Sequence, residues 1–183
     1  VSYNKLEIRV SSETLNNISV AGSGNVELAN GLKTDKLKVS VAGSGDIDAD
    51  NLTCTGNLNV SVAGSGDIEG SNITCANLTA SIAGSGDLKL DNVSAAGTEA
   101  SVSGSGTAIL TGTSQEADYR VAGSGDLFAS GLQAKRVSAS VSGSGDIKCH
   151  ATDFLKARTS GSGNIGYKGN PELDFPKKGL YKL

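Results

Sequence analysis

The chain has 183 residues, with 16 Lys and Arg against 19 Asp and Glu, for a formal net charge of −3. Aromatics make up 4% of the chain, with no Trp, and that argues against a nucleic-acid footprint and an aromatic stacking platform. Gly is abundant at 25 residues but Pro is scarce at 2, so neither collagen nor Pro-rich disorder fits, and no apolar run is long enough to predict a membrane-spanning helix.

The opening VSYNKLEIRV alternates Leu6, Ile8 and Val10, which predicts a first strand; residues 1–15 are read as an N-terminal strand or cap. This segment has no initiator Met, basic n-region or apolar h-region, so a processed or truncated product is expected, with a lipid anchor upstream left open.

From Gly22 onward one tripeptide organises the chain. Gly-Ser-Gly starts at Gly22, Gly43, Gly64, Gly84, Gly104, Gly123, Gly143 and Gly161, a period near 20 residues. Flexible Gly/Ser linkers keep no such register. Before each motif the apolar residues alternate: Val20, Val41, Val62 and Ile82 lie two residues before it, and Ile18, Val39, Val60 and Ala80 four before it. After the motif the series resumes with Ile47, Ile68 and Leu88, and a third run contributes Leu52, Ile73 and Val93. Period-two alternation with one apolar face is a strand signature. A unit of about 20 residues cannot bury its own apolar face, but stacked copies can.

The expected fold is therefore all-β: a single-stranded, right-handed parallel β-helix of about eight coils of about 20 residues. Residues 1–168 are assigned to the repeats and 169–183, GNPELDFPKKGLYKL, to a C-terminal capping tail. A narrow lumen filled by Val, Ile, Leu and Ala accounts for the shortage of rings. The glycines are read as a repeated corner where a side chain would meet its own copies.

Several columns were candidates for function. The residue after each Gly-Ser-Gly gives Asp46, Asp67, Asp87, Asp126 and Asp146, with Asn25 and Asn164 at the ends and Thr107 within. Carboxylates stacked at about 4.8 Å repel by roughly 1 kcal/mol in water, so the ladder needs compensation. Hydrogen bonds from turn N–H groups are the favoured reading, and Ca²⁺ the less favoured one. Acid–base hydrolysis of a polysaccharide is disfavoured, because equivalent corners give paired carboxylates the same environment. No metal is assigned, and no cofactor beyond that Ca²⁺ alternative.

The residues expected to face outward beside this ladder run Glu27, Asp48, Glu69, Lys89, Ile109, Phe128 and Lys148. Ile109 and Phe128 break a polar column, marking a possible partner patch, although the preferred expectation is that the tail residues Phe175, Leu180 and Tyr181 fold back over them. Cys54 and Cys75 fall at equivalent positions one coil apart and are expected inward and reduced, beside Ala95, Ala134 and Phe154. His150 reads as a solvated corner residue. Six Asn-X-Ser/Thr sequons, at Asn17, Asn51, Asn59, Asn72, Asn77 and Asn92, follow from the repeat composition.

The repeated (V/I)-(A/S)-G-S-G-(D/N)-(I/L), as in SVAGSGDI at 40–47 and 61–68, resembles the head GIN domain family of auto-transporter adhesins, found largely in the Bacteroidota. GSGNIGYKGNPEL at 161–173 resembles that family's ending, and the likeness covers about residues 15–183. The resemblance implies an exported β-helical protein of the outer membrane, cell surface or periplasm, without catalytic residues. Its expected partner is a cell-surface, matrix or glycan component, with no nucleic acid. A monomer is expected, and a self-associating envelope scaffold is the alternative.

Overall fold

The computed structural model describes residues 8–10, 12, 14–175 and 178–183. The described residues form strands and turns without helix. The first coil holds β1 (Asn17–Gly22), β2 (Val26–Glu27) and β3 (Leu32–Thr34), and the second begins with β4 (Leu37–Gly43) and β5 (Ile47–Asp48). Farther along, pairing continues through corners, so one strand covers most of a coil: β6 (Leu52–Gly64), β7 (Ile68–Gly84), β8 (Leu88–Gly104), β9 (Thr107–Gly123), β10 (Asp126–Gly143) and β11 (Ile147–Gly161). The column ends with β12 (Ile165–Lys168), β13 (Glu172–Asp174) and β14 (Leu180–Lys182).

All of these strands belong to one sheet, and every pairing between them is parallel. Each coil lies in register on the next, Val41 on Val62, Val62 on Ile82, Gly43 on Gly64. The expected parallel β-solenoid of about eight coils is the fold observed. Its inward columns are closed: Val39, Val41, Ile47, Leu58, Ile68, Leu88 and Leu127 are at most 2% exposed. Each such side chain contributes about 1.5–3 kcal/mol relative to exposure, and this lumen is the core.

The Gly-Ser-Gly corner shows why its glycines recur. The carbonyl of the first Gly accepts two N–H groups from the coil below: Gly64 O receives Ser85 N–H at 2.9 Å and Gly86 N–H at 3.0 Å. The same pair of bonds recurs from Gly22 to Gly143. Both bonds pull the next corner directly onto this one, leaving no room for a Cβ.

The opening strand differs from expectation. Leu6 lies outside the described residues, and Ile8 and Val10 lie outside any strand, 76% and 85% exposed. The first described strand is β1, which among the described residues pairs with β4.

His150 is on a strand and half-buried, paired with Gln133 and Lys168, and is not a corner residue. The shortened seventh coil passes directly from Cys149, beside Ala129, to His150, beside Gln133, so the corner residues 130–132 of the previous coil have no counterpart. The same register change moves Phe154. It was expected inward beside Ala134, but Ala151 takes that place and Phe154 pairs with Arg136. Phe154 is half-buried, with the Arg136 guanidinium carbon 4.9 Å from its ring centroid.

Cys54 and Cys75 do lie in register, and both are buried and free, as is Cys149. Burial raises all three thiols, Cys75 to about 11 and Cys149 to about 12. Native protein at pH 8 should therefore resist alkylation, with three thiols reacting once urea unfolds it; rapid native labelling would contradict the inward placement. Because the folded values lie above the ordinary 9.0, the unfolded thiols ionise first as pH rises. Their contribution to stability is complete below pH 9 and declines as pH climbs toward 11–12.

Candidate functional site

Three outward columns share one face of the solenoid, after the Gly-Ser-Gly corner. The first is the Asp ladder, and its bonds run from coil to coil. Asn25 Oδ1 accepts Asp46 N–H at 3.1 Å, Asp46 Oδ1 accepts Asp67 N–H at 3.1 Å, and Asp67 Oδ1 accepts Asp87 N–H at 2.8 Å. Asp87 Oδ1 takes Thr107 N–H at 2.8 Å, Asp126 Oδ1 takes Asp146 N–H at 2.8 Å, and Asp146 Oδ1 takes Asn164 N–H at 2.8 Å. Where Thr107 interrupts the carboxylates, Asp126 N–H turns to the Gly106 carbonyl at 3.2 Å. Each Asp thus satisfies a corner donor that the sheet leaves over.

Substitution at Asp67 separates hydrogen bonding from charge. Asp67→Asn keeps Oδ1, as Asn25 does, and should change stability by less than about 0.5 kcal/mol, whereas Asp67→Ala should cost about 1 kcal/mol. The melting temperature should not respond to EDTA or added Ca²⁺; a rise with Ca²⁺ that Asp67→Asn abolishes would make the ladder a cation site.

The second column begins acidic with Glu27, Asp48 and Glu69, passes Lys89, and reaches Ile109, Phe128 and Lys148, each in register with the next. Ile109 is 37% exposed. Phe128 is half-buried, with Lys148 Nζ 4.9 Å from its ring centroid, a cation–π contact on the coil below. Among the described residues the tail does not cover this pair, contrary to the preferred expectation. β14 instead adds a layer beyond β12, with Tyr181 on Gly166, and Phe175 and Tyr181 remain 43% and 41% exposed. Arg158 secures the tail, meeting both Asp174 carboxylate oxygens at 2.9 Å and the Asp174 carbonyl at 2.9 Å.

The third column holds Asp50, Ser71, Asp91 and Thr111. Ser71 Oγ donates to Asp50 Oδ1 at 2.7 Å and Thr111 Oγ1 to Asp91 Oδ1 at 3.0 Å. Between the second and third columns lies a polar groove of about 420 Å³, lined by Glu27, Asp48, Glu69, Lys89, Asp50 and Asp91. No group of three or more His, Cys, Asp or Glu suited to holding a metal occurs among the described residues.

The next corner was read in the sequence only as sequons. Asn51, Asn72 and Asn92 all adopt positive φ, 58°, 55° and 54°. Asn72 Nδ2 donates to Asn51 Oδ1 at 3.1 Å and Asn92 Nδ2 to Asn72 Oδ1 at 2.8 Å, an amide ladder along the edge of the face. Asn tolerates this left-handed region better than other non-Gly residues. The signal was available: each of the three stands eight residues past its Gly-Ser-Gly start.

A family model described as "Putative auto-transporter adhesin, head GIN domain" matches residues 1–111 and 58–171. The chain belongs to that family. The two matches overlap, as a repeated coil pattern allows. The head GIN domain chain is also similar to a putative adhesin from Parabacteroides distasonis at 25% identity, with TM-score 0.79 and 94% of each chain covered. A putative adhesin from Parabacteroides merdae is 21% identical, TM-score 0.79, over 95% of this chain and 94% of that one. A putative lipid binding protein from Parabacteroides distasonis is 20% identical, TM-score 0.78, over 96% of this chain and 94% of that one. The last two likenesses establish the shared fold alone. The comparison with curated proteins found no relative. No helix among the described residues is long and apolar enough to cross a membrane.

Proposed function

We propose that this head GIN domain is a non-enzymatic, exported binding module of the cell envelope, and that the outward column centred on Ile109 and Phe128 makes the contact. The observation that carries this reading is that apolar pair, adjacent in register and flanked by Lys89 and Lys148 in a column otherwise charged at its first three positions. Ile109 is exposed and Phe128 half-buried beside it, and apolar side chains left accessible on a rigid polar surface mark sites of association. The family's description as an adhesin supports a partner outside the cell. The partner class is a cell-surface, matrix or glycan component, held by many weak polar contacts beside one apolar anchor.

The Asp ladder supports a non-catalytic reading. Asp46, Asp67, Asp87, Asp126 and Asp146 each commit Oδ1 to a backbone N–H of the next coil, so neighbouring carboxyls have matching surroundings. Hydrolysis by paired carboxylates requires unlike surroundings, one group protonated and the other ionised.

The test is a glycan and matrix-protein array probed with wild type and with the Ile109→Ser/Phe128→Ser double variant. Wild type should bind a defined component, and the double variant should bind it at least about 10-fold more weakly, with a melting temperature within a few degrees of wild type. Absence of any wild-type signal would sink the adhesin reading. Equal binding by both proteins would move the contact away from Ile109 and Phe128.

A further inference from the structure

Charge is shared unevenly between the faces of the solenoid. On the face before the Gly-Ser-Gly corner, acids meet arginines: Arg120 pairs with Glu99 at 2.7 Å and Asp118 at 3.0 Å, and Arg158 with Asp174 at 2.9 Å. On the face after it, the five ladder aspartates stand beside Glu27, Asp48, Glu69, Asp50 and Asp91, against Lys89 and Lys148. Both of those cations are engaged already, Lys89 Nζ with Asp91 at 3.4 Å and Lys148 Nζ over the Phe128 ring. Glu27, Asp48 and Glu69 are exposed and stacked in register, and among the described residues none of them forms an ion pair. Like charges at one coil spacing work against the fold, so this column carries a repulsion that a bound cation would relieve.

We propose that this face binds a cationic polypeptide segment, an extended stretch whose apolar side chain packs on Ile109 and Phe128 and whose Arg or Lys side chains enter the acidic groove. The inference rests on Ile109 and Phe128 being the contact site and adds the chemistry of the partner. Two independent features adjoin there. The groove of about 420 Å³ is lined by Asp48, Asp50 and Glu69 and ends at Lys89, and Ile109 lies in register with Lys89 on the next coil. Glu69 and Ile109 are two coils apart, about 10 Å, a distance that an extended chain covers in about three residues. The partner therefore carries its apolar residue about three positions from its first cation. Lys89 stands between and repels a cation placed on its own coil, which fixes that spacing. Arg suits the groove better than Lys, because its planar fork holds two carboxylate oxygens at once. An acidic glycan or an anionic lipid surface would instead meet like charge along the whole face.

Fluorescence polarisation of the whole chain with labelled synthetic peptides tests this. One probe is Phe-Gly-Ser-Arg-Gly-Arg, and the other carries Glu in place of both Arg. Wild type should bind the Arg peptide at least about 10-fold more tightly than the Glu peptide, a preference that shrinks as salt rises from about 0.05 to about 0.5 M. The Asp48→Asn/Glu69→Gln variant should lose most of that preference while melting no lower than wild type, since it removes stacked like charge. Ile109→Ser/Phe128→Ser should weaken Arg-peptide binding at least about 5-fold. Equal binding of the two peptides by wild type, or Arg-peptide binding unchanged by Asp48→Asn/Glu69→Gln, would overturn the proposal. A glycan held on the array through Ile109 and Phe128, with no binding of the Arg peptide, would overturn this partner and leave the contact site standing. Arg-peptide binding that ignores Ile109→Ser/Phe128→Ser would defeat the contact site itself, and the proposal with it.

Discussion

Gly86→Ala should cost about 4 kcal/mol or more, or prevent folding, while Gly24→Ala should leave stability within about 0.5 kcal/mol of wild type. Both are the last residue of a Gly-Ser-Gly corner, and neither needs a left-handed backbone. They differ in what lies above them. A Cβ on Gly86 would overlap the carbonyl oxygen of Gly66, with Val62 Cγ1 at 2.9 Å and the Gly66 carbonyl carbon at 3.0 Å. The corner cannot relax by moving apart, because Ser85 and Gly86 N–H both hold the Gly64 carbonyl, at 2.9 and 3.0 Å. Opening that gap gives up two backbone bonds and leaves their groups unsatisfied in a closed column. At Gly24 nothing among the described residues lies within 4 Å of the added atom. Urea unfolding of the two variants beside wild type measures the contrast. Equal losses at both positions would remove coil-on-coil contact as the reason for the motif.

That contrast shows what the sequence could and could not reveal. The period of the Gly-Ser-Gly motifs and the alternation around them gave the parallel solenoid and nearly all of its inward residues, since a repeated unit presents one solution many times over. Legibility failed where a coil departs from the period. Phe154 and His150 follow the shortest spacing, 18 residues, and the register change there cannot be assigned to one corner by counting alone. The Asn51, Asn72 and Asn92 corner was misread for a different reason. Its residues matched a short motif whose meaning is chemical, while their positive φ is a backbone property that only stacking discloses. At the candidate site, the outward column and its apolar break at Ile109 and Phe128 could be read from parity. The position of the tail could not, because β14 has no repeat to align with until its pairing to β12 is seen.

Tyr119 provides the second large effect, with two substitutions of opposite sign. Its ring occupies the lumen, 0% exposed, in a column where Ala80, Ala100, Ala139 and Ala157 are the other nearby members. Ala100 and Ala139 lie in register directly above and below it. Their missing volume makes room for the ring: the column trades several medium side chains for one large residue between small ones. Tyr119→Ala leaves five consecutive positions without bulk, and a column locked by coil-to-coil hydrogen bonds has little freedom to collapse. The expected loss is about 3–5 kcal/mol, with the cavity term near the upper end of its range. Tyr119→Phe keeps the ring but removes Tyr119 Oη, a buried hydroxyl with no hydrogen-bond partner among the described residues. An unsatisfied buried hydroxyl costs about 1–3 kcal/mol, so the Phe variant should be about 1 kcal/mol more stable than wild type. Burial also raises the Tyr119 phenol above its ordinary 10.0, which adds a loss of stability as pH rises past 10 that the Phe variant lacks. Denaturant midpoints at pH 8 and at pH 10.5 follow both effects, and the advantage of Tyr119→Phe should widen at the higher pH. A Phe variant less stable than wild type at pH 8 would mean that the hydroxyl is held by a partner within the lumen, and the ring would then be fixed by a polar contact as well as by the gap between two alanines.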